Sequence, residues 1–387
     1  MRPVDKGAQG TYPFVVDVSS QTNLQTSLQA FTITFGTTAA APVAQVFGTA
    51  SPTAWDVLSG LLLVAKAKGT KHVKKKAKTT GVTVANVKGI KETLNRKLAT
   101  MYSQAAPLLN VQLGRFCSFC ELYNQTGVAV EHVAPKAPYP LFYIAWDNFL
   151  LACSVCNSNK LSKPPRTDPQ FLPAPTDEVG YYNTLNNNYL LPNRYTLVYR
   201  TTKPQLQYQG DDGKWWPVTY PVADGTELRS ADEVTRTIRA DVRANVTTKG
   251  KTKAKWRMNV PVRVQVIPTN PRSTKMVELA ALNKPSGQTE TLADIRVWTR
   301  TLRWFTVLDS LNTLKQANAT TFPQLWNMMM ASVQQPGLYS VWVTVIDLLG
   351  PGGSWTVPGD GTPVMTKFLT TITGQNYFPG TDTADTP

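Results

Sequence analysis

The chain's cysteines are Cys117, Cys120, Cys153 and Cys156, two Cys-x-x-Cys pairs with no thiol left over. A secreted disulfide scaffold is shorter and far richer in cysteine. In a reducing compartment such pairs read instead as one tetrathiolate zinc site. Four thiolates close the coordination sphere and leave no position for water, so the zinc is structural. The gap between the pairs is wider than in a minimal zinc ribbon. Something folded must lie between them, and its content decides what the module does. Taken alone, the two pairs describe equally well a plain zinc ribbon that binds nucleic acid or protein.

With 387 residues, the chain has room for one elaborated domain or for two to three ordinary ones. Its 42% hydrophobic and 10% aromatic content excludes a disordered polymer. The longest apolar stretches, at 61–65 and 341–346, are core-sized, far short of the ~18 residues that suggest a membrane span. No apolar segment follows the opening Met1-Arg-Pro-Val-Asp-Lys6. The expectation is a cytoplasmic protein with no membrane partner. Lys plus Arg number 40 against 25 for Asp plus Glu, a formal charge of +15. That excess favours a polyanion, which makes nucleic acid the first candidate partner, although charge also serves solubility.

Three regions follow from the patterning: 1–112, with a lysine-rich segment; the cysteine module, 113–163; and 164–387. The first has strand-like patches at 14–18 and 31–35 and helical patterns at 53–67 and 87–105. Between those helices Lys66, Lys68, Lys71, Lys74, Lys75, Lys76 and Lys78 form a run, either a solvated loop or a phosphate-contacting arm. Pro164 and Pro165 punctuate the end of the module. Beyond it, 230–246 reads as a basic helix and 339–346 as a strand. Lys249, Lys251, Lys253, Lys255 and Arg257 alternate with other residues, so in an extended segment they point one way. Such a row either tracks phosphates or guards a sheet edge. The clearest helix is 290–317, where Leu292, Ile295, Trp298, Leu302, Phe305, Leu308 and Leu311 form a core stripe.

Between and around the cysteines stand Glu131-His132-Val133-Ala-Pro135-Lys136, then Trp146-Asp147-Asn148-Phe149-Leu150, then Cys153-Ser-Val-Cys156-Asn157-Ser-Asn-Lys160. This order of acidic-His pair, central Asn and Asn just after the second Cys-x-x-Cys resembles the HNH endonucleases whose ββα-metal motif is stapled by four cysteines. Asn157 stands where many members carry His; Asn variants also occur, and an amide oxygen can ligate a hard cation. The opening residues to Gly7 and the stretches 296–311 and 339–344 are similar, more loosely, to a bacterial group of HNH proteins. The implied fold class is α+β: a ββα-metal HNH module stapled by a four-cysteine zinc site, embedded in a larger mixed α/β chain.

The resemblance implies a metal-dependent endonuclease that hydrolyses phosphodiesters, with DNA the expected substrate. His132 is the implied general base, braced by Asn148. Glu131 and Asn157 are the implied ligands of a catalytic Mg²⁺ or Mn²⁺. A phosphodiester resists attack by water, so such an enzyme must deprotonate a water and neutralise charge on phosphate. A neutral imidazole is the natural base near pH 7. Lys160, one helical turn after Asn157, is placed to touch substrate phosphate. Trp146 and Phe149 read as core, and Asp147 as a turn or cap residue. His72, the second histidine, falls in the lysine run. The group includes members that act in anti-phage defence, which makes an ATPase or another regulatory chain a candidate partner. No GxxxxGK[ST] loop is present, so ATP dependence would come from that partner. The alternative is a non-cleaving zinc-stapled module that binds nucleic acid or protein.

Overall fold

The computed structural model describes residues 4–5, 99, 102–124, 127–132, 135–136, 146–160, 194–195, 202–218, 228–234, 237–248, 251–268, 271–284, 295–333, 337–374 and 377–378. The lysine run at 66–78, the patches at 14–18 and 31–35 and the helix expected at 53–67 lie outside them. Among these residues no helix is long and apolar enough to cross a membrane. The architecture is mixed α and β, in keeping with α+β. Short strands β1 (Val4–Asp5) and β4 (Arg194–Tyr195) pair with each other.

The cysteine region runs helix α1 (Ala105–Leu113), strand β2 (Ala129–His132), a 3-10 turn (Trp146–Asn148), strand β3 (Phe149–Ala152) and helix α2 (Ser154–Lys160). Strands β2 and β3 are antiparallel, with His132 opposite Phe149 and Ala129 opposite Ala152. Helix α1 buries Ala105, Leu109 and Leu113 on one stripe, four residues apart, against this pair. Strand β3 is buried along its whole length, so it reads as a continuous apolar run and not as an alternation.

A five-stranded antiparallel sheet carries the remainder, in the order β6-β5-β9-β8-β7. Its strands are β5 (Thr202–Gln209), β6 (Trp215–Pro217), β7 (Leu228–Val234), β8 (Thr237–Thr248) and β9 (Lys251–Pro268). The basic helix expected over 230–246 is therefore strand at 230–234 and 237–246. Its inward positions Ile238, Ala240 and Val242 alternate with Arg239, Asp241 and Arg243, a period of two that the clustered charges obscured. Helices α3 (Pro271–Leu279), α4 (Arg296–Lys315), α5 (Phe322–Val333), α6 (Tyr339–Leu349) and α7 (Val364–Gly374) follow. Leu206, Val262, Val264, Trp304, Leu308, Leu311 and Trp342 belong to a large core shared by the sheet and helices α4–α7.

The segment 339–346 is helix α6, not a strand. It is buried on nearly every side, so its sequence lacks a polar face and its β-branched residues mimic a buried strand. The stripe expected on α4 holds at Phe305, Leu308 and Leu311 but not at Ile295 and Leu302, which are exposed. Val297, Arg300, Thr301 and Trp304 face inward instead. Thr301 Oγ1 accepts the Val264 amide at 2.8 Å, closing part of the β9 edge beyond its pairing with β8.

Candidate functional site

Cys117 and Cys120 sit on a tight knuckle between α1 and β2. Phe116 and Tyr123 bridge its base, Cys117 N–H donates to the Leu122 carbonyl at 3.1 Å, and Glu121 N–H donates to the Cys117 carbonyl at 2.9 Å. Glu121 takes the left-handed conformation, φ 66°, at the tip's exit. Ser118 stitches the knuckle to β3: its amide donates to the Leu151 carbonyl at 2.7 Å and its hydroxyl accepts the Leu151 amide at 3.3 Å. That brings the knuckle beside Cys153, which follows β3, and Cys156, in the first turn of α2.

The four sulfurs lie within 4.8 Å of one another, and none is in a disulfide. Cys120 and Cys153 Sγ are 3.8 Å apart. A tetrahedron with metal–sulfur bonds of about 2.3 Å has an edge of about 3.8 Å, so the cluster is compatible with zinc. Hydrogen bonding to Cys117 holds the Cys153 thiol well below the ordinary range, while Cys117 pushes Cys120 and Cys156 up. Binding of zinc by thiolates would release their protons.

Around the sulfurs are groups that sequence reasoning missed. Arg296, buried on α4, donates to Cys156 Sγ at 3.1 Å and to the carbonyls of Ala280 at 2.6 Å and Ala281 at 2.9 Å. Arg300, one turn on, is also buried and donates to the Leu282 carbonyl at 3.3 Å. Burial pushes its guanidinium below the ordinary value, opposed by Cys120 and Glu121. Four thiolates around Zn²⁺ leave two negative charges in excess, and these two cations stand where they offset that charge. In sequence both arginines stand beside the apolar stripe and not in it, so no local pattern marked them.

His132 ends β2 and is 3% exposed. Its ring meets the edges of Tyr102 (centroids 4.9 Å apart) and Phe149 (5.2 Å), which fix its orientation. Asn148, fully buried, ends the 3-10 turn immediately before Phe149, the residue opposite His132. Asn157 is half-buried on α2, with its amide bonded to the Cys153 carbonyl at 3.0 Å. Trp146 and Phe149 are core residues, as expected. The side chain of Asp147 lies outside the described residues.

Glu131 and Lys160 have partners other than those expected. Lys160 Nζ donates to Glu131 Oε1 at 2.7 Å and to the His132 carbonyl at 2.7 Å. Lys160 is 1% exposed and Glu131 6%, so the ammonium lies inside the module and not on a substrate-facing surface. It ties the end of α2 to the end of β2. Burial pushes the Glu131 carboxyl up and the Lys160 ammonium down, each opposed by the attraction of the other. Lys136 packs on Tyr102. Its Nζ lies 4.8 Å from the centroid of the Tyr102 ring that packs on His132, and 3.5 Å from the Tyr102 hydroxyl.

Among the described residues, the four cysteines are the one group of three or more His, Cys, Asp or Glu whose donor atoms converge. Comparison with known protein families, curated proteins and solved structures finds no match to this chain.

Proposed function

We propose that the chain is a nucleic-acid phosphodiester hydrolase of the HNH type, with a structural zinc on Cys117, Cys120, Cys153 and Cys156 and with His132 as general base. The observation that supports this most is the bond from Lys160 to the His132 carbonyl. It locks α2 onto β2, so Asn157, one turn before Lys160, belongs to the same small region as His132. In this reading the imidazole takes a proton from a water, whose oxygen bonds to phosphorus as the ester oxygen leaves and is protonated by solvent. Tyr102 and Phe149 hold the ring, and Lys136 takes the phosphate-contacting role first expected of Lys160.

Glu131 fits poorly as a ligand of Mg²⁺ or Mn²⁺, because its carboxylate already faces an ammonium that a second cation would oppose.

Supercoiled plasmid incubated with the protein, with and without Mg²⁺ or Mn²⁺, tests the reading. His132→Ala should lower cleavage by about 10²–10⁴-fold, the usual contribution of a general base, with zinc content unchanged and the fold retained, while the lost ring contacts lower the melting temperature. A rate near wild type, with contaminating nuclease excluded, would overturn it.

The second reading, a non-cleaving module, is favoured by the burial of His132 and of the Glu131–Lys160 pair. Substrate could reach an imidazole 3% exposed only after local opening. Binding without cleavage across metals and salt concentrations would establish this second reading.

A further inference from the structure

Strands β8 and β9 outrun their sheet. The pairing of β7 reaches β8 at Val242, and that of β5 reaches β9 at Val262. From Arg243↔Trp256 to Thr248↔Lys251, the two strands pair only with each other among the described residues. Six residue pairs at ~3.3 Å each make a two-stranded ribbon ~20 Å long. A bulge at its root re-aims it. One extra residue on β9 separates the pairs Ala240↔Val260 and Val242↔Arg257, and Asn259 has φ 52°. Asp241 Oδ1 accepts the Asn259 amide at 2.8 Å, and Arg239 Nε donates to the Asn259 carbonyl at 2.9 Å. The root is also tied to the β5–β6 turn by an ion pair between Arg257 and Asp211.

The ribbon's charge is of one sign. From 243 to 257 the sequence carries Arg243, Lys249, Lys251, Lys253, Lys255 and Arg257, with no Asp or Glu. Register puts positions 251, 253 and 255 on one face, opposite Thr248, Val246 and Ala244. Arg243 and Trp256 pair on the other face, where Trp256 is 42% exposed, and Met258 beside the bulge is 64% exposed.

We propose that the ribbon formed by 243–248 and 251–257 enters the major groove of B-form duplex DNA, with Lys251, Lys253 and Lys255 against phosphates. The proposal rests on the nucleic-acid reading above only in that the chain binds nucleic acid; it does not require cleavage. Charge complementarity selects a polyanion. Shape selects among polyanions: the B-DNA major groove, about 12 Å wide, admits a two-stranded ribbon, whereas the A-form RNA major groove is deep and narrow.

The test is binding of the full-length protein, without added divalent metal, to a labelled ~25-base-pair DNA duplex, to the same sequence as duplex RNA and to single-stranded DNA. Wild type should prefer duplex DNA. Methyl green, which occupies the major groove, should compete, and the minor-groove ligand distamycin should not. The triple variant Lys251→Thr, Lys253→Thr, Lys255→Thr keeps β-forming residues. It should raise the Kd at least 10-fold at low salt and flatten the log–log salt dependence by about 2–3, near 0.9 per lost phosphate contact. Lys253→Glu, a single change, gives the same direction of effect should the triple variant fold poorly. Binding is read here without cleavage, so loss of cleavage with binding kept touches only the hydrolase reading. Unchanged affinity and slope in both lysine variants, no duplex binding by wild type, or a preference for duplex RNA would overturn the ribbon's role.

Discussion

Glu131 and Lys160 illustrate at residue scale how burial and charge compete. Burial disfavours the charged form of each, pushing the Glu131 carboxyl up and the Lys160 ammonium down. Glu131, pushed up, contributes stability below its unfolded value and loses it as pH rises through its folded value. Lys160, pushed down, contributes stability above its unfolded value and loses it as pH falls through its folded value. Between those windows burial opposes the pair, and only mutual attraction and the bond to the His132 carbonyl offset it. Lys160→Met should therefore cost about 3–5 kcal/mol by stranding a buried carboxylate, and Glu131→Leu with Lys160→Met should recover most of that loss. Denaturant midpoints at neutral pH check this; a mild Lys160→Met would show that the pair is solvated in solution. The acidic-His pair and the lysine were legible as motif letters. That the lysine binds the acid was not, because the two are far apart in sequence and meet only when α2 packs on β2.

Helix α6 is the clearest case at element scale. Its N-terminus follows Leu338 in the left-handed conformation, φ 65°, and no residue of its own supplies a side-chain cap. The cap comes from the knuckle: Glu121 Oε2 accepts the Ser340 amide at 2.8 Å, and the Glu121 carbonyl accepts the Leu338 amide at 3.3 Å. A buried carboxylate also complements the positive end of the helix dipole. Gly337 is required where the segments cross, since a Cβ there would stand 2.4 Å from the Glu121 carbonyl oxygen. Glu121→Ala should cost about 1–3 kcal/mol, read as a lower denaturant midpoint with the slope unchanged. An unchanged midpoint would mean that water caps the helix equally well. The apolar run of α6 was visible in sequence, but a capping partner 219 residues upstream leaves no local signature.

For the whole molecule, the sulfur cluster is a junction and not a separable bead. Arg296 on α4 reaches Cys156, Glu121 of the knuckle reaches α6, and Phe116 at the knuckle's base belongs to the same core as Trp304 and Trp342. Removing zinc should therefore lower the main unfolding transition instead of releasing a local one. Calorimetry with a strong chelator, and of Cys153→Ser, should show a single lowered transition together with zinc near one per wild-type chain by elemental analysis. A wild type without zinc, or a main transition untouched by its removal, would count against this. Arg296→Ala should weaken zinc retention, in line with the ~10–100-fold losses typical when such outer partners of a metal site are removed. Retention equal to wild type would assign Arg296 to packing alone.

By itself the sequence determined which atoms could meet. A closed set of four cysteines in two short pairs can satisfy itself locally, because three-residue spacing fits a knuckle and a helix's first turn. The apolar period of the second half of α4 was equally plain, since the helix that shows it also buries it. Tertiary structure decided what the charges do. Arg296 and Arg300 stand beside a stripe, Lys160 sits in a motif, and 230–246 is dense in charge; only packing turned these into cluster partners, a buried ion pair and strands. The physical reason is range: propensity and period act over a few residues, whereas burying a charge is feasible only where a distant segment supplies its partner.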